Sequence, residues 1–243
     1  MAAFHRIKSW LRYRSLRTDT RAVLKDRLTY LSLEKLRRLE ISLSTVDRDR
    51  VPGDVLEFGV ALGGSAIILA AHARNGRHFH GFDVFGLIPP PTSEKDDEKS
   101  KERYEVIRSG RSSGIGGDGY YGYRDRLYED VKASFAKHHR PVDGHTIQLH
   151  KGLFEDTWPE IAVDRIAFAH IDCDWYDPVR YCLESVADKL SPGGIILIDD
   201  YNDYGGARTA VDEFISKRAE FAFEPGANPI LRKGLKQLSE EVT

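Results

Sequence analysis

With 243 residues, 41% of them apolar and 30% charged, the chain can bury one sizeable core and has the make-up of a soluble globular protein. A net charge of -2 argues against nucleic acid as the main partner, and two cysteines, Cys173 and Cys182, offer no disulfide framework and fit a reducing, cytoplasmic setting. No stretch reaches about 18 apolar residues and the first charges are not followed by an apolar run, so neither a membrane span nor a signal peptide is expected.

Charge is uneven along the chain. Residues 1 to 50 carry 13 Lys and Arg against 6 Asp and Glu, a basic arm suited to the body of the same protein, to a partner chain or, less so, to acidic lipid. Phe4, Ile7, Trp10 and Leu11 sit at helical spacing within it, so the arm is a candidate surface for a homodimer or larger homo-oligomer. Ser32 can cap the next helix with Glu34 in its first turn, carrying Leu33, Leu36, Leu39 and Leu43 inward until Pro52 and Gly53 stop it. This divides the chain into an N-terminal helical extension, 1–50, and one α/β domain, 51–243.

Residues 54–58, DVLEF, read as the first strand, and GVALGGSA follows. Gly59, Gly63 and Gly64 join that strand to an apolar helix over Ala66 to Ala73, with Ser65 as its cap. Strand, glycine turn and helix N-terminus come in the order that nucleotide-type ligands use. The spacing is GxxxGG rather than the dinucleotide GxGxxG, and a tight turn without a ligand is the competing reading. His78 to Phe82 form a second strand ending at Asp83, which is placed to accept hydrogen bonds from ribose hydroxyls.

From Val84 to Arg126 the regular pattern stops. PPPTSEKDDEKSKE is polar, and SGRSSGIGGDGYYGY is too rich in glycine for a helix or a strand interior. Connections this long are usually functional, and Tyr120, Tyr121 and Tyr123 give an ordering loop something to pack, so 84–126 reads as a lid insertion; a disordered insertion is the alternative. Leu127 to His138 is the next helix and Thr146 to His150 the third strand.

Ile166 to Tyr201 then form a βαβ unit. The apolar runs Ile166 to Ile171 and Ile195 to Ile198 are strands; between them Asp177 can cap a helix with Pro178 at its first position, Val179, Leu183, Val186 and Leu190 make its apolar face, and SPGG breaks it. Two parallel strands put Asp172, Asp174, Asp199 and Asp200 at one sheet edge, the edge where open α/β sheets bind ligands. Four carboxylates in one crevice need a cation or shared protons, and with no His or Cys at soft-metal spacing an all-oxygen set points to Mg²⁺ or a similar hard ion. Helix capping by strand-end Asp residues is the plainer reading for any single one. Cys173 has no neighbouring His in sequence and reads as a small buried residue. In extended backbone Asp172 and Asp174 share a face while Cys173 points away. A helix over Gly206 to Arg218 and an antiparallel pair, Phe221 to Phe223 with Asn228 to Arg232, close the sheet.

EFGVALGGS, GFDVFG, KGLFEDTWP, IDCDWYDP, SPGGIILIDDY and GGARTAVDEF fall in the order and spacing of the macrocin O-methyltransferase (TylF) family, which this chain resembles from about Tyr30 to Arg232. The resemblance implies a Rossmann-like class I methyltransferase with a mostly parallel seven-stranded sheet and helices on both faces. It also implies S-adenosylmethionine as methyl donor, Mg²⁺ dependence, and methylation of a hydroxyl on a small-molecule or oligosaccharide acceptor. By motif position Asp172, Asp199 and Asp200 correspond to metal ligands and Asp174 to the general base. Glu57, Gly59, Asp83 and Asp172, with Gly152 and Phe154 of KGLFEDTWP, fall on the cofactor edge. Two departures bear on the acceptor: Cys173 stands where the family usually has glycine, and the glycine-rich part of the lid is longer. A catechol-type acceptor, an NAD-dependent dehydrogenase and a non-catalytic module are the other readings, the last two disfavoured by GxxxGG and by the retention of four acidic residues.

Overall fold

A computed structural model of the chain describes residues 10 to 235. Seven strands, β1 Asp54–Phe58, β2 Phe79–Asp83, β3 Ile147–Lys151, β4 Ile166–Ile171, β5 Leu190–Ile198, β6 Phe221–Glu224 and β7 Ile230–Lys233, form one sheet in the order β3-β2-β1-β4-β5-β7-β6. The first five pair in parallel, and β7 runs antiparallel to both β5 and β6. This is the mostly parallel seven-stranded sheet that the resemblance implies. Its order reverses beside β1, so the carboxyl ends of β1 and β4 flank the crevice where a ligand fits.

Strand alternation sends successive side chains to two separate cores. On one face Val55, Phe79, Phe168, Ile195 and Leu197 meet the helices α1 Thr18–Lys25, α2 Leu33–Arg48, α3 Gly64–Ala70 and α5 Leu127–Lys137. On the other Leu56, Phe58, Ile171, Ile196 and Ile198 meet α6 Tyr176–Ala187 and α7 Gly205–Lys217. Val23, Leu36, Leu39, Leu43 and Val46 are almost wholly buried in the first of these cores, so α1 and α2 share the sheet's interior. Ser32 caps α2 through its hydroxyl, which accepts from Lys35 N–H. Of the proposed basic arm, Phe4 and Ile7 lie outside the described residues; Trp10 and Leu11 are helical and half exposed.

Four local expectations are corrected. The stretch after Val84 is not irregular throughout: α4, Glu98–Arg108, runs through it, capped by Asp97. Its polar composition hid it, because only Ser100 and Ile107 are buried. SPGG does not simply end a helix. It lies inside β5 as a bulge, the register stepping from Ile166 opposite Leu190 to Phe168 opposite Ile195, and a bulge tolerates Pro192 without a ladder donor. Asp177 does not cap α6; the helix starts at Tyr176, whose N–H is accepted by Asp96 from the distant segment before α4. Ser65 does not cap α3 either. Gly63, at φ +89°, holds that position, a left-handed conformation that glycine adopts at no steric cost.

Candidate active site

Backbone bonds zip the strand ends together: Gly59 N–H donates to Phe82 O, Asp172 N–H to Phe58 O and Asp199 N–H to Ile171 O, each at 2.9 Å. Gly59 has φ +95° and a Cβ there would run into the Asp172 carbonyl, so only glycine lets β1 and β4 end this close. Asp172 leaves β4 at the crevice, and Asp199 and Asp200 leave β5. Ligand oxygens of these three carboxylates all lie within 4.8 Å of one another.

Asp174 reaches the same place by a route other than the expected one. Beta structure stops at Ile171, and Asp174 takes φ +60° while its N–H donates to Asp200 Oδ2 at 2.9 Å. That turn, rather than strand alternation, sends Cys173 into the apolar core against Phe58 O and leaves Asp174 on the cavity.

The electrostatics follow from crowding. Loss of solvent, then repulsion from Asp199 and Asp200, pushes the Asp172 and Asp174 carboxyls well above their ordinary range. Loss of solvent and Asp199 raise Asp200 to about 6, with the Asp174 N–H and Lys35 working against the rise. Lys35, on α2, brings an ammonium into the cluster. Its Nζ donates to Asp199 Oδ2 and Asp203 Oδ2, both at 2.8 Å, and to Asp199 O at 3.1 Å. Burial works against its charge, but these carboxylates outweigh burial and raise its pKa.

Two cavities open on this edge and share Gly59, Tyr121, Asp172, Asp174 and Trp175. One, of about 340 Å³, adds Ser65, Asp199, Asp200, Lys35, Arg103 and Tyr204. The other, of about 400 Å³ and more apolar, adds Asp83, Val84, Leu153 and Phe154. Asp83 accepts from Ala61 N–H (2.9 Å) and Phe85 N–H (2.6 Å), and burial raises it to about 6 despite those donors. With the Val60 backbone as a third donor, the carboxylate still has acceptor capacity for a further one.

Four of the residues expected at the cofactor edge, Glu57, Gly63, Gly64 and Gly152, line neither cavity. Glu57 is wholly buried, 2.8 Å from His170 Nδ1. Gly64 donates to Leu28 O, and a Cβ on it would strike that carbonyl; it makes room for the residues before α2. Gly63 and Gly152 serve turns packed against Val131 and Thr157. Conversely Tyr30, Lys35, Lys99, Arg103 and Tyr204 line the site without any local sequence signal; they arrive through the packing of α2, α4 and α7.

The metal expectation meets one further observation. Asp199 Oδ1 is buried and, among the described residues, has no hydrogen-bond partner, beside Asp172 and Asp200. An orphaned carboxylate oxygen in an all-oxygen trio is suited to a hard divalent cation.

The sequence profile described as macrocin-O-methyltransferase (TylF) matches residues 7–111 and 125–221. The chain belongs to the macrocin O-methyltransferase family. Among its relatives is the 8-demethyl-8-(2,3-dimethoxy-alpha-L-rhamnosyl)-tetracenomycin-C 4'-O-methyltransferase of Streptomyces olivaceus, 32% identical over 177 residues, which are 71% of this chain and 62% of that one. Among solved structures, the O-methyltransferase NovP superposes with a TM-score of 0.70 at 22% identity, over 86% of this chain and 83% of its own. The SAH-bound methyltransferase PaMTH1 of Podospora anserina gives 0.58 at 14% identity, over 97% and 96%. These likenesses establish the methyltransferase family and the fold. The stretch 112–124, in the glycine-rich part of the segment between β2 and α5, lies outside the profile match. Among the described residues no helix is long and apolar enough to cross a membrane.

Proposed function

We propose that this chain is an S-adenosylmethionine-dependent O-methyltransferase that methylates a sugar hydroxyl, on a saccharide or a glycosylated natural product, with Mg²⁺ held by Asp172, Asp199 and Asp200 and with Asp174 as general base. The observation that carries the reading is the orphaned Asp199 Oδ1 within the carboxylate trio, at the edge that class I methyltransferases use. Family membership, a relative whose name specifies a rhamnosyl 4'-hydroxyl and a neighbour of like fold that binds SAH support it.

The two cavities divide the work. Asp83 and Phe154 give the more apolar one a carboxylate and an aromatic ring, a fit for the ribose and adenine of the methyl donor. Gly59 lies where the two cavities meet. Mg²⁺ at the trio would supply Lewis-acid polarisation that lowers the acceptor hydroxyl's pKa. Asp174, fixed by its left-handed turn and its bond to Asp200, takes the hydroxyl proton as the acceptor oxygen bonds the methyl carbon and the carbon–sulfur bond breaks, the electron pair staying on sulfur. Its contribution is position. Lys35 holds Asp199 in place and offsets part of the local negative charge.

Transfer of labelled methyl groups to a panel of saccharides with vicinal hydroxyls, with and without EDTA, tests the reading. Methylation that needs Mg²⁺ is the expected result; transfer to no saccharide, or full transfer in EDTA, contradicts it. Calorimetric binding of S-adenosylhomocysteine but not NAD is expected independently of turnover.

A further inference from the structure

Residues 112–124 are not matched by the family profile, yet they are built firmly into this site. Gly114 N–H donates to Asp118 O at 2.6 Å and Ser113 bridges to Gly119, closing the glycine loop on itself. The Tyr123 hydroxyl donates to Ile107 O and accepts from Ser112 N–H, tying the loop to α4. Together with Tyr30, the loop's Tyr120 and Tyr121 make a wall of three tyrosines. Tyr120 is buried and lies 4.3 Å from Tyr121, centroid to centroid; Tyr121 in turn lies 6.0 Å from Tyr30, which is half exposed at the rim.

Arg103 completes that wall from α4. Its guanidinium sits 5.8 Å from the Tyr120 ring centroid and, among the described residues, makes no hydrogen bond or ion pair. A guanidinium carries five N–H donors in one plane, and here they border a cavity whose floor holds Asp172 and Asp174. Aromatic surface beside unspent planar donors suits a pyranose. The C–H face of the ring lies against tyrosine while its hydroxyls accept from the guanidinium.

We infer that Tyr30, Arg103 and Tyr121 form the acceptor subsite for a saccharide ring, to which the stretch 112–124 contributes Tyr121. The inference deepens the methyltransferase reading and rests on it for the role of the bound sugar. Tyr121 borders both cavities and Tyr30 only the outer one, so the rim tyrosine separates acceptor from cofactor.

The test uses the full chain with S-adenosylhomocysteine and Mg²⁺, and saturation-transfer NMR with methyl α-L-rhamnopyranoside and methyl α-D-glucopyranoside as probes. Expected are saturation transfer to at least one probe in the wild type and a dissociation constant raised roughly 2- to 12-fold in Tyr30→Ala, the range of one lost aromatic contact. A comparable loss is expected in Arg103→Met, which keeps the apolar stem, with S-adenosylhomocysteine affinity in both variants within about twofold of wild type by calorimetry. Acceptor KM should follow the same order with kcat little changed. Probe binding unaffected in both variants, or no probe binding in the wild type, overturns the subsite; so does an equal loss of S-adenosylhomocysteine affinity, which would give Arg103 to the cofactor. Probe binding that is sensitive to both substitutions in a chain that transfers no methyl group would leave the subsite standing and reject the activity.

Discussion

The Lys35 ammonium on α2 lies 2.8 Å from Asp199 Oδ2 at the end of β5, joining residues 164 positions apart. The pair ties the N-terminal helices to the carboxylate cluster and places a fixed cation beside the trio that is suited to a divalent one. Lys35→Met should leave Asp199 without its internal counter-charge. Loss of one partner of a buried bond costs on the order of 1–3 kcal/mol, so the thermal midpoint should fall in EDTA and the deficit should shrink on adding Mg²⁺. A deficit of the same size with and without metal would mean that Lys35 acts only as a structural tether.

How far the sequence led depended on distance along the chain. β4, from Ile166 to Ile171, is read correctly to the residue, because a short β-branched and aromatic run between polar residues has one favourable burial. Asp172, Asp199 and Asp200 converge as expected, since parallel strands of one βαβ unit must end at the same edge. Tyr30, Lys35 and Arg103 stayed invisible for the opposite reason: no local pattern records which loop or helix folds over a strand end. Glu57 shows the same limit from the inside. As part of EFG it reads as a cofactor residue, but only the pairing of β1 with β4 reveals that it faces His170. The α6 cap was likewise unreadable, because its acceptor, Asp96, comes from 80 residues away.

The neighbour of that acceptor holds two helices with one carboxylate. Asp97 Oδ1 accepts from Ser100 N–H at 2.9 Å, capping α4, and Oδ2 accepts from Gly205 N–H at 2.8 Å, at the start of α7. A cap is worth about 1 kcal/mol, so Asp97→Ala should destabilise by about 2 kcal/mol and loosen 84–126 in particular. If this segment acts as a lid, limited proteolysis should cut it faster in the variant, and S-adenosylhomocysteine with acceptor should protect the wild type. Cleavage at other sites, or at an unchanged rate, would detach Asp97 from the cover.

A pH effect is expected on the far side of the sheet. His150 on β3 stacks on His80 at 5.4 Å and on Phe82 at 4.7 Å; loss of solvent first, and His80 second, push it down to about 4. An unfolded histidine titrates near ~6.5, so between those values the unfolded chain binds the extra proton. The native advantage is complete above about pH 6.5 and is lost as pH falls toward about 4. Urea midpoints should therefore drop between about pH 7 and 5, and less so in His150→Gln. Parallel curves for the two proteins would assign the acid sensitivity to other groups.

The sharpest division of labour is between Asp172 and Asp174, one residue apart on either side of a buried cysteine. Asp172 belongs to the trio whose oxygens lie within 4.8 Å of one another, whereas Asp174 stands outside it, turned by φ +60° and anchored through its N–H to Asp200 Oδ2. Amide substitutions should therefore fail differently. Asp172→Asn removes a charged ligand, so Mg²⁺ affinity should fall and activity should recover in part at high Mg²⁺. Asp174→Asn keeps the backbone bond to Asp200 and should bind Mg²⁺ and S-adenosylmethionine nearly as wild type, yet lose kcat by roughly the 10²- to 10⁴-fold that a positioned base contributes. Mg²⁺ titrations and kcat for both variants separate the roles. Equal metal defects would make Asp174 a fourth ligand, and near-normal turnover in Asp174→Asn would pass the proton to water.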